Sequence, residues 1–507
     1  MTLGIIDTLV LVAAVIAAIA IGLRSATKTH TVEAFLLGNR DLPWWAILGS
    51  IVATETSTAT VLSLPGEGFG ATGMKFLQIA IGYIFGRTIV VYMLLPLFFD
   101  GKLFSAYEVL QKRFGSRVKT MASLLFLVAR NLGDGLRLFL AALVLQLMLG
   151  WPFWGSAVTI GGVTVLYTYF GGMRSVVWND CIQLVIYMAG GVVTVFVIAN
   201  NIPGGWPAIW GFAETHDKLT MIKAVPPSGY PNSFIHWLFS DSMSLWAGLI
   251  GGAVLTLGTH GTDQMMVQRY LSARSRRDAA WALFASGLVV FVQFALFLFI
   301  GVLLACFYSH QPDLEFERAD EIYAHFIVHS FPKGTGLVGL MLAAILAAAM
   351  STLSSSLNSS ASAVINDFYL PNTQVTPNAD KLLRLTRLLA IGFGILQVGI
   401  GIWATTFDRS VVNNALSIAG YSAGLLLGLF ALGVLTRRVR QTAAMIGALV
   451  GLVTLLLVQF AVPPWTGGQW RVAWPWYALI GSTTTFFAGY LSSWCVSQSS
   501  RSSTVMK

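Results

Sequence analysis

Long apolar segments dominate this 507-residue chain and limit the folds available to it. A helix of about 20 apolar residues crosses the hydrocarbon core of a bilayer. Inside that core, only helices and closed barrels satisfy their own backbone hydrogen bonds. We therefore predict an all-α polytopic membrane protein with 13 transmembrane helices. The predicted spans are residues 4–23, 42–64, 74–99, 116–149, 152–170, 174–199, 237–268, 279–309, 334–368, 382–406, 409–435, 441–462 and 474–497.

The distribution of basic residues orients these spans. Charged residues make up only 10% of the chain, which excludes an ordinary soluble enzyme. If the N-terminus is outside, the inside connections and tail hold 21 of the 31 Lys and Arg residues and the outside loops hold seven. This asymmetry predicts an outside N-terminus and an inside C-terminus, and it explains the net charge of +9 without a nucleic-acid partner. The remaining three, Arg87, Arg130 and Arg137, lie within predicted spans.

A polar segment at residues 53–60 interrupts the second span with hydroxyls and one carboxylate, Glu55. If the helix unwinds here, the freed carbonyls of Ala53 and Thr56 can coordinate a hard cation such as sodium. The alternative is that the hydroxyls bond back to carbonyls of an unbroken helix. Glu55 favours a functional break, because an intramembrane acid is costly without a role. Residues 64–66, Leu-Pro-Gly, are predicted to end the helix.

A second polar segment, residues 350–356, lies in the ninth predicted span. Ala348, Ser351 and Thr352 share one helical face by their spacing of three and four residues. Their carbonyl and two hydroxyls form a plausible second half of a sodium site. Small-residue packing between helices explains the same pattern, so the segment alone does not decide between the two.

A third polar segment, residues 258–264, interrupts the seventh span between Gly258 and Gln264. His260 is a candidate for proton coupling, although a hydrogen-bonded wall residue is the commoner role. Asp263 and Gln264 either face the substrate or brace a broken helix. We interpret Arg269, which follows, as an inside anchor.

Arg130, Asp134 and Arg137 recur at helical spacing in the fourth span. Asp134 can neutralise one arginine and leave the other for an anionic substrate. A purely structural network is the competing interpretation, and we apply it to Arg87 as well.

Two halves of the chain repeat one pattern. Spans two to six and seven to eleven align as five plus five, and the first span of each set is interrupted. Interrupted helices at matching positions indicate a midplane binding site between inverted repeats. The predicted units are an N-terminal span and inside loop (1–41), the first repeat (42–199), an outer loop (200–236), the second repeat (237–435), and two C-terminal spans with a tail (436–507).

Five stretches together resemble the sodium/solute symporter family, nearest its iodide, multivitamin and monocarboxylate branch. They are Phe-Leu-Leu-Gly-Asn-Arg at 35–40, Leu-Pro-Gly at 64–66, Gly-Gly-Met-Arg-Ser-Val-Val-Trp-Asn-Asp at 171–180, Val-Gln-Arg-Tyr-Leu at 267–271 and Ala-Ala-Met-Ser-Thr-Leu-Ser-Ser-Ser-Leu-Asn at 348–358. The resemblance implies ten core helices of the leucine-transporter type, sodium-driven alternating access and a bacterial inner membrane. It also places the sodium site on the carbonyls of Ala53, Thr56 and Ala348 and the hydroxyls of Ser351 and Thr352.

The resemblance also suggests substrate contacts. The nearest polar candidates are Ser57, Thr60, Gln78, Arg130 and Asp263, joined by Gln264. Glu55 stands where the proline branch has an important aspartate, one methylene shorter, so we assign Glu55 and His260 only as coupling or gating candidates.

We therefore expect a sodium-coupled symporter for a small polar organic solute, with a carboxylate favoured and a sugar or polyol as the alternative. A transporter-like sensor and a proton-coupled carrier remain competitors. No enzymatic motif is present in the sequence. We expect Na⁺, a small-molecule substrate and the lipid bilayer as partners, and no obligate protein partner.

Overall fold

The computed structural model describes residues 4–26, 31–100, 103–311, 314, 316, 318–373, 378–406 and 411–502. Within these residues the chain is helical, and its β structure is a single bridge between Leu42 and Ala273. The first eleven helices are α1 (Ile5–Ala26), α2 (Val32–Leu37), α3 (Trp44–Glu55), α4 (Thr58–Phe69), α5 (Leu77–Ile89), α6 (Leu95–Phe99), α7 (Glu108–Phe114), α8 (Ser116–Leu149), α9 (Phe153–Asn201), α10 (Gly205–Thr215) and α11 (Phe234–Ser240). The other ten are α12 (Gly252–Gly261), α13 (Gln264–Leu271), α14 (Arg276–Tyr308), α15 (Ala319–Ser330), α16 (Leu337–Ala363), α17 (Ala379–Trp403), α18 (Val411–Leu435), α19 (Gln441–Leu456), α20 (Val462–Trp465) and α21 (Trp476–Ser502).

Seven helical segments of the described chain are long and apolar enough to cross a membrane, or eight if a bent pair counts as one span. The predicted all-α membrane fold is therefore present, but the count of 13 spans is not confirmed. One reason is that Phe153–Asn201 counts as one segment, although it covers two predicted spans, 152–170 and 174–199, which meet at a kink at Gly172. Other predicted spans are split by breaks. Residues 409 and 410 of the predicted span 409–435 lie outside the described residues.

Both helices predicted to be interrupted are broken. α3 ends at Glu55 and α4 begins at Thr58, with their axes bent by 62°. α12 ends at Gly261, and α13 begins after Asp263, whose carboxylate accepts a hydrogen bond of 2.8 Å from the Met265 amide. A helix break exposes backbone carbonyls and amides that need new partners. The predicted stop at residues 64–66 is wrong, because α4 continues through Pro65 to Phe69.

α16 occupies the centre of the bundle. The membrane-length segment that contains it, Leu337–Asn372, is 89% buried over its most apolar window, against 61% or less for the other six. It contacts α9 most extensively and also α1, α3, α8 and α17. The run of alanines and serines at 347–356 suits this position, because small residues let helices approach closely. The hydroxyls of residues 350–356 therefore lie inside the protein.

A glycine kink divides α9 beside α2. Gly172 has φ +57° and ψ −153°, a conformation that only glycine adopts readily. A Cβ at this position would also lie 2.6 Å from the Phe35 carbonyl oxygen. The kink therefore depends on the absence of a side chain, both for its dihedral angles and for its packing.

Replacing Gly172 with alanine should lower the free energy of unfolding by about 1–3 kcal/mol, because the new methyl group meets both constraints. Gly162→Ala is the matched control, since Gly162 lies in the same helix with nothing within 4 Å of an added Cβ. There alanine should be neutral or stabilising by up to about 1 kcal/mol. Thermal unfolding of the purified variants checks the difference, and equal stability of the two would contradict the kink's dependence on glycine.

The segment after α9 forms a strap rather than an irregular loop. It contains α10 and returns to the end of α4, where Lys218 donates to the carbonyls of Phe69 and Gly70 at 2.6 and 2.7 Å. Burial lowers the pKa of Lys218. A hydrogen bond from Thr220 and the ion pair with Lys75 hold the pKa of Asp217 below its usual range. The contacts of Lys218 hold the C-terminal end of α4 in place. Other residues of α4 line the cavity described below.

Candidate functional site

A central cavity of about 220 Å³ opens at the two helix breaks. Its walls combine charged and hydroxyl side chains on one hand with aromatic and aliphatic ones on the other, as in sites for small organic ligands. The polar lining residues are Thr54, Glu55, Ser57, Thr60, Ser63, Glu67, Arg130, Asp134, Arg137, Thr259, His260, Asp263 and Ser422. The aromatic lining residues are Phe76, Tyr83, Phe126, Phe294 and Trp474.

The first break lies directly against α16. The Thr352 hydroxyl is 3.3 Å from the Thr54 carbonyl oxygen, which belongs to the last turn of α3, and 3.4 Å from the Ala348 carbonyl oxygen. The five residues predicted to hold sodium, Ala53, Thr56, Ala348, Ser351 and Thr352, are all buried. The structure thus places hydroxyls of α16 beside backbone carbonyls that the break releases.

Thr56 sits at the break itself. Its hydroxyl donates to the Val52 carbonyl at 2.7 Å and accepts hydrogen bonds from Tyr187 at 3.1 Å and Gln293 at 2.6 Å. The hydrogen-bonding capacity of the Thr56 hydroxyl is therefore satisfied by residues of α3, α9 and α14. The backbone carbonyl of Thr56 stays the predicted cation ligand.

A buried ion pair between Asp180 and Arg269 connects the first break to the second. Asp180 accepts from Ser50 at 2.5 Å, from Ser351 at 2.8 Å and from Arg269 at 3.3 Å. Arg269 also donates to Ser50 at 2.9 Å and to Thr54 and Ser355. These contacts join α3, α9, α13 and α16 in one network.

The interpretation of Arg269 as an inside anchor is therefore wrong. The side chain is 1% exposed and lies within the protein. It was misread because neighbouring arginines in the sequence suggested a surface cluster, whereas α13 turns this residue toward Asp180. Asp180 was missed as a functional residue, although an acid within an apolar span is a signal in itself.

Glu55 forms an ion pair with Arg87, whose side chain is fully buried. Arg87 also donates to the Ser286 hydroxyl at 2.7 Å, and His260 Nε2 lies 3.7 Å from the Glu55 carboxylate. A buried guanidinium needs such a partner, because an unpaired charge in this setting is expensive. Glu55 and His260 both line the cavity, and Glu55 pairs with Arg87, the buried arginine interpreted above as structural.

Four charged side chains form an alternating chain along α8. Arg137 Nη1 lies 2.7 Å from Asp134, which lies 3.6 Å from Arg130, and Arg130 Nη2 lies 2.6 Å from Asp263. These contacts support both interpretations of the sequence, a structural network and an arginine left for an anionic substrate. Asp134 pairs with both arginines, and the second broken helix supplies a further acid.

Four of the six predicted substrate residues line the cavity: Ser57, Thr60, Arg130 and Asp263. Gln78 and Gln264 do not. The Gln78 amide bonds to the backbone of Lys75, Met243 and Lys223, and the Gln264 amide bonds to the backbone of Phe104 and Ala106. Sequence spacing cannot show such long-range partners. Both amides brace the protein instead.

A further buried network surrounds Asp367, in the segment that follows α16. Asp367 pairs with Lys119 at 3.3 Å and accepts from Ser105 and Ser123 at 3.0 and 2.8 Å. Lys119 also donates to the Asn366 carbonyl at 3.0 Å. These bonds tie the start of α8 to the segment that follows α16.

The described residues contain no cluster of three or more His, Cys, Asp or Glu side chains suited to a metal ion. Carbonyl and hydroxyl oxygens at the first break match a hard monovalent cation, and the adjoining cavity accommodates a small polar molecule.

Known proteins with similar sequences are transporters. A sodium-dependent multivitamin transporter from Oryctolagus cuniculus is 29% identical over 89% of this chain and 70% of its own length. A sodium-coupled monocarboxylate transporter 2 from Mus musculus is 30% identical over 84% of this chain and 67% of its own. A sodium/sialic acid symporter, SiaT, from Proteus mirabilis is 28% identical over 96% and 94%.

Solved structures share the helical architecture. The substrate-bound, outward-open state of a Na⁺-coupled sialic acid symporter superposes with a TM-score of 0.84 and 27% identity, covering 97% of this chain and 98% of that one. A transporter of the nucleobase-cation-symport-1 family, with bromovinylhydantoin bound, gives a TM-score of 0.54 at 14% identity over 89% and 92%, which shows a common fold. The division into two inverted repeats stays a prediction.

The profile described as the sodium:solute symporter family matches residues 35–451. The match contains the first break, the charged face of α8, the second break and α16, and it covers the cavity-lining residues named above except Trp474. The resemblance inferred from the five sequence stretches is confirmed, and the relatives are transporters rather than enzymes. This chain belongs to the sodium:solute symporter family.

Proposed function

We propose that this protein imports a small organic solute with a carboxylate group by sodium-coupled symport, through alternating access across a bacterial cytoplasmic membrane. The observation that carries the proposal is the contact of Thr352 on α16 with the Thr54 carbonyl at the break of α3. The serine and threonine hydroxyls of α16 lie beside the backbone carbonyls at the end of α3. Together they supply several hard oxygen ligands at one point. The predicted orientation, with the N-terminus outside, forms part of the proposal.

Sodium is assigned to the carbonyls of Ala53, Thr56 and Ala348 and the hydroxyls of Ser351 and Thr352. All five proposed ligands are uncharged oxygens, three carbonyls and two hydroxyls, and they belong to buried residues. A dehydrated monovalent cation requires such ligands. The last turn of a helix leaves its carbonyls without intrahelical partners, so the break makes such ligands available at low cost.

Ser351 connects this site to the rest of the molecule. Its hydroxyl donates to Asp180, and Asp180 pairs with Arg269 on α13, the helix that follows the second break. An ion that pulls α16 toward α3 therefore acts on a network that includes both broken helices. Such an ion shifts the conformational equilibrium only if it binds one state better than the other. The proposed site meets this requirement because its ligands lie on separate helices.

A carboxylate substrate is supported by the relatives and by the cavity. Two of the three relatives named above are described as a monocarboxylate transporter and a sialic acid symporter. The cavity contains two arginines, Arg130 and Arg137, within reach of aromatic side chains. Guanidinium groups recognise carboxylates through paired hydrogen bonds, and the aromatic wall suits an apolar portion of the same molecule.

Uptake into proteoliposomes tests the proposal. An inward sodium gradient at fixed pH should drive accumulation of a radiolabelled carboxylate above its external concentration, and choline in place of sodium should abolish this accumulation. Equal accumulation with choline would favour proton coupling through Glu55 or His260. Sodium-dependent binding without accumulation would favour a sensor, and preferential accumulation of sugars would favour the polyol alternative.

A further inference from the structure

The two arginines of α8 that face the cavity differ in which edges of their guanidinium groups are free. A guanidinium binds a carboxylate most strongly with two parallel N–H donors along one edge. Such binding needs two adjacent nitrogens that are not already committed. Arg130 and Arg137 can therefore be compared nitrogen by nitrogen.

Arg130 has no such edge left. Its Nη2 donates to Asp263 at 2.6 Å, and its Nη1 lies 3.6 Å from Asp134. Its Nε is buried without a hydrogen-bond partner among the described residues, and the side chain is only 13% exposed. Both edges of the guanidinium include a nitrogen that an acid of the protein holds. A substrate carboxylate would have to displace Asp263, which also caps α13 through the Met265 amide.

Arg137 has a complete edge available. Its contact in the described part of the chain is made by Nη1, which donates to Asp134 at 2.7 Å. The Nε and Nη2 atoms form the opposite, side-on edge, and they make no hydrogen bond to the described residues. The side chain is 23% exposed, more than Arg130, and it lines the cavity. Asp134 holds the guanidinium of this cavity-lining residue through Nη1 and leaves the Nε–Nη2 edge uncommitted among the described residues.

We infer, resting on the proposed function, that Arg137 rather than Arg130 holds the substrate's carboxylate through its Nε and Nη2 atoms. Asp134 orients Arg137, and Arg130 joins Asp134 to Asp263 as a positioning residue. The substrate class is a small carboxylic acid whose remaining body packs against aromatic residues of the cavity, such as Phe76 and Phe294.

Charge balance connects this anchor to sodium. Arg137, Asp134, Arg130 and Asp263 carry two positive and two negative charges, so the group is neutral in total. A bound carboxylate leaves the group with one excess negative charge inside the protein, where screening is weak. A cation at the neighbouring helix break offsets that charge. The acid should therefore bind more tightly in sodium than in choline, whereas its uncharged amide should show a smaller difference.

Binding of carboxylic acids, each paired with its uncharged amide or ester, tests the inference. The probes are lactate with lactamide, nicotinate with nicotinamide, biotin with biotinamide, and N-acetylneuraminate with its methyl ester, each measured by thermal shift and by competition for uptake in sodium. We expect at least one pair in which the wild-type protein prefers the acid. Arg137→Gln should weaken binding of that acid about 10- to 100-fold and leave the amide nearly unchanged, because only the acid uses the charged edge.

Two further variants keep the test decisive. Arg117→Gln makes the same change at an exposed position of α8, and its acid preference should match the wild type. Arg137→Lys retains the charge without the planar edge and should recover part of the lost affinity. Stabilisation by sodium alone should be equal in all variants, which shows that they are folded.

The outcomes separate the inference from the proposed function. Sodium-driven accumulation of an acid that Arg137→Gln retains with wild-type selectivity overturns the assignment of Arg137 and leaves the proposed function standing. Wild-type preference for the uncharged member of every pair overturns the carboxylate class. Absence of sodium-driven accumulation for all probes contradicts the proposed function and the inference together.

Discussion

Replacing Ser351 and Thr352 together with alanine should raise the sodium concentration for half-maximal uptake by about 10-fold or more. The double variant removes two of the five oxygen ligands proposed for the ion, and each contact of a hydroxyl with a charged group contributes about 1.5–3 kcal/mol. It also removes the hydroxyl that contacts the Thr54 carbonyl and the one that donates to Asp180. Uptake measured at increasing sodium, with the solute held constant, checks the shift.

Ser359→Ala is the matched control for this pair. Ser359 is also a buried serine of α16, and within the described part of the chain its hydroxyl bonds only to the Ser356 carbonyl in the same helix, at 3.2 Å. Its removal should leave the sodium dependence unchanged. If the double variant kept the sodium dependence of the wild type, the assignment of sodium to α16 would be wrong, whatever the substrate.

Asp180→Asn should lower the free energy of unfolding by about 3–5 kcal/mol. The substitution leaves the guanidinium of Arg269 buried without a counter-charge, and breaking one partner of a buried ion pair has a cost of this size. The asparagine keeps the shape of the side chain and one acceptor for Ser50 or Ser351, so the loss reports the charge. Thermal and denaturant unfolding of the purified protein in detergent measures the effect.

An exposed ion pair provides the comparison. Asp41→Asn removes the partner of Arg174 at a position where the acid is 54% exposed, and it should cost no more than about 1 kcal/mol. A second variant in which Asp180→Asn is combined with Arg269→Met should recover part of the lost stability, because no unpaired charge remains. If the single variant were as stable as wild type, the pair would not hold the two broken helices together.

The fold was predictable to the extent that it depends on local composition. Apolar segments of membrane length indicated a helical membrane protein, and the polar segments at 53–60 and 258–264 indicated the two breaks. The way in which consecutive spans are joined was not predictable in the same way. Hydropathy indicates two spans at 152–170 and 174–199, but it does not show that they meet at a kink at Gly172 without a loop between them.

The site was predictable in part, from polar residues within apolar spans taken together with the family resemblance. Ser57, Thr60, Arg130 and Asp263 were named on that basis, and they do line the cavity. The errors concern residues whose role depends on a distant partner. Arg269 finds Asp180 from 89 positions away, and Gln264 finds the backbone of Ala106 from 158 positions away. Helical spacing within one segment contains no information about such pairs.

The division of roles between Arg130 and Arg137 is of the same kind. Their spacing of seven residues places them on one face of α8 with Asp134 between them, which the sequence shows. Which arginine is committed depends on Asp263, supplied by the second break. The proposed carboxylate contact therefore moves from Arg130 to Arg137, two turns along α8.

Solute-stimulated entry of ²²Na⁺ into proteoliposomes tests the central claim most directly, because it measures the coupled ion itself. In the wild-type protein, adding the transported carboxylate outside should accelerate ²²Na⁺ entry, and the Ser351→Ala, Thr352→Ala double variant should lose this acceleration while Ser359→Ala retains it. Carboxylate uptake by the wild-type protein with no accompanying ²²Na⁺ entry would contradict sodium-coupled symport at the break between α3 and α4.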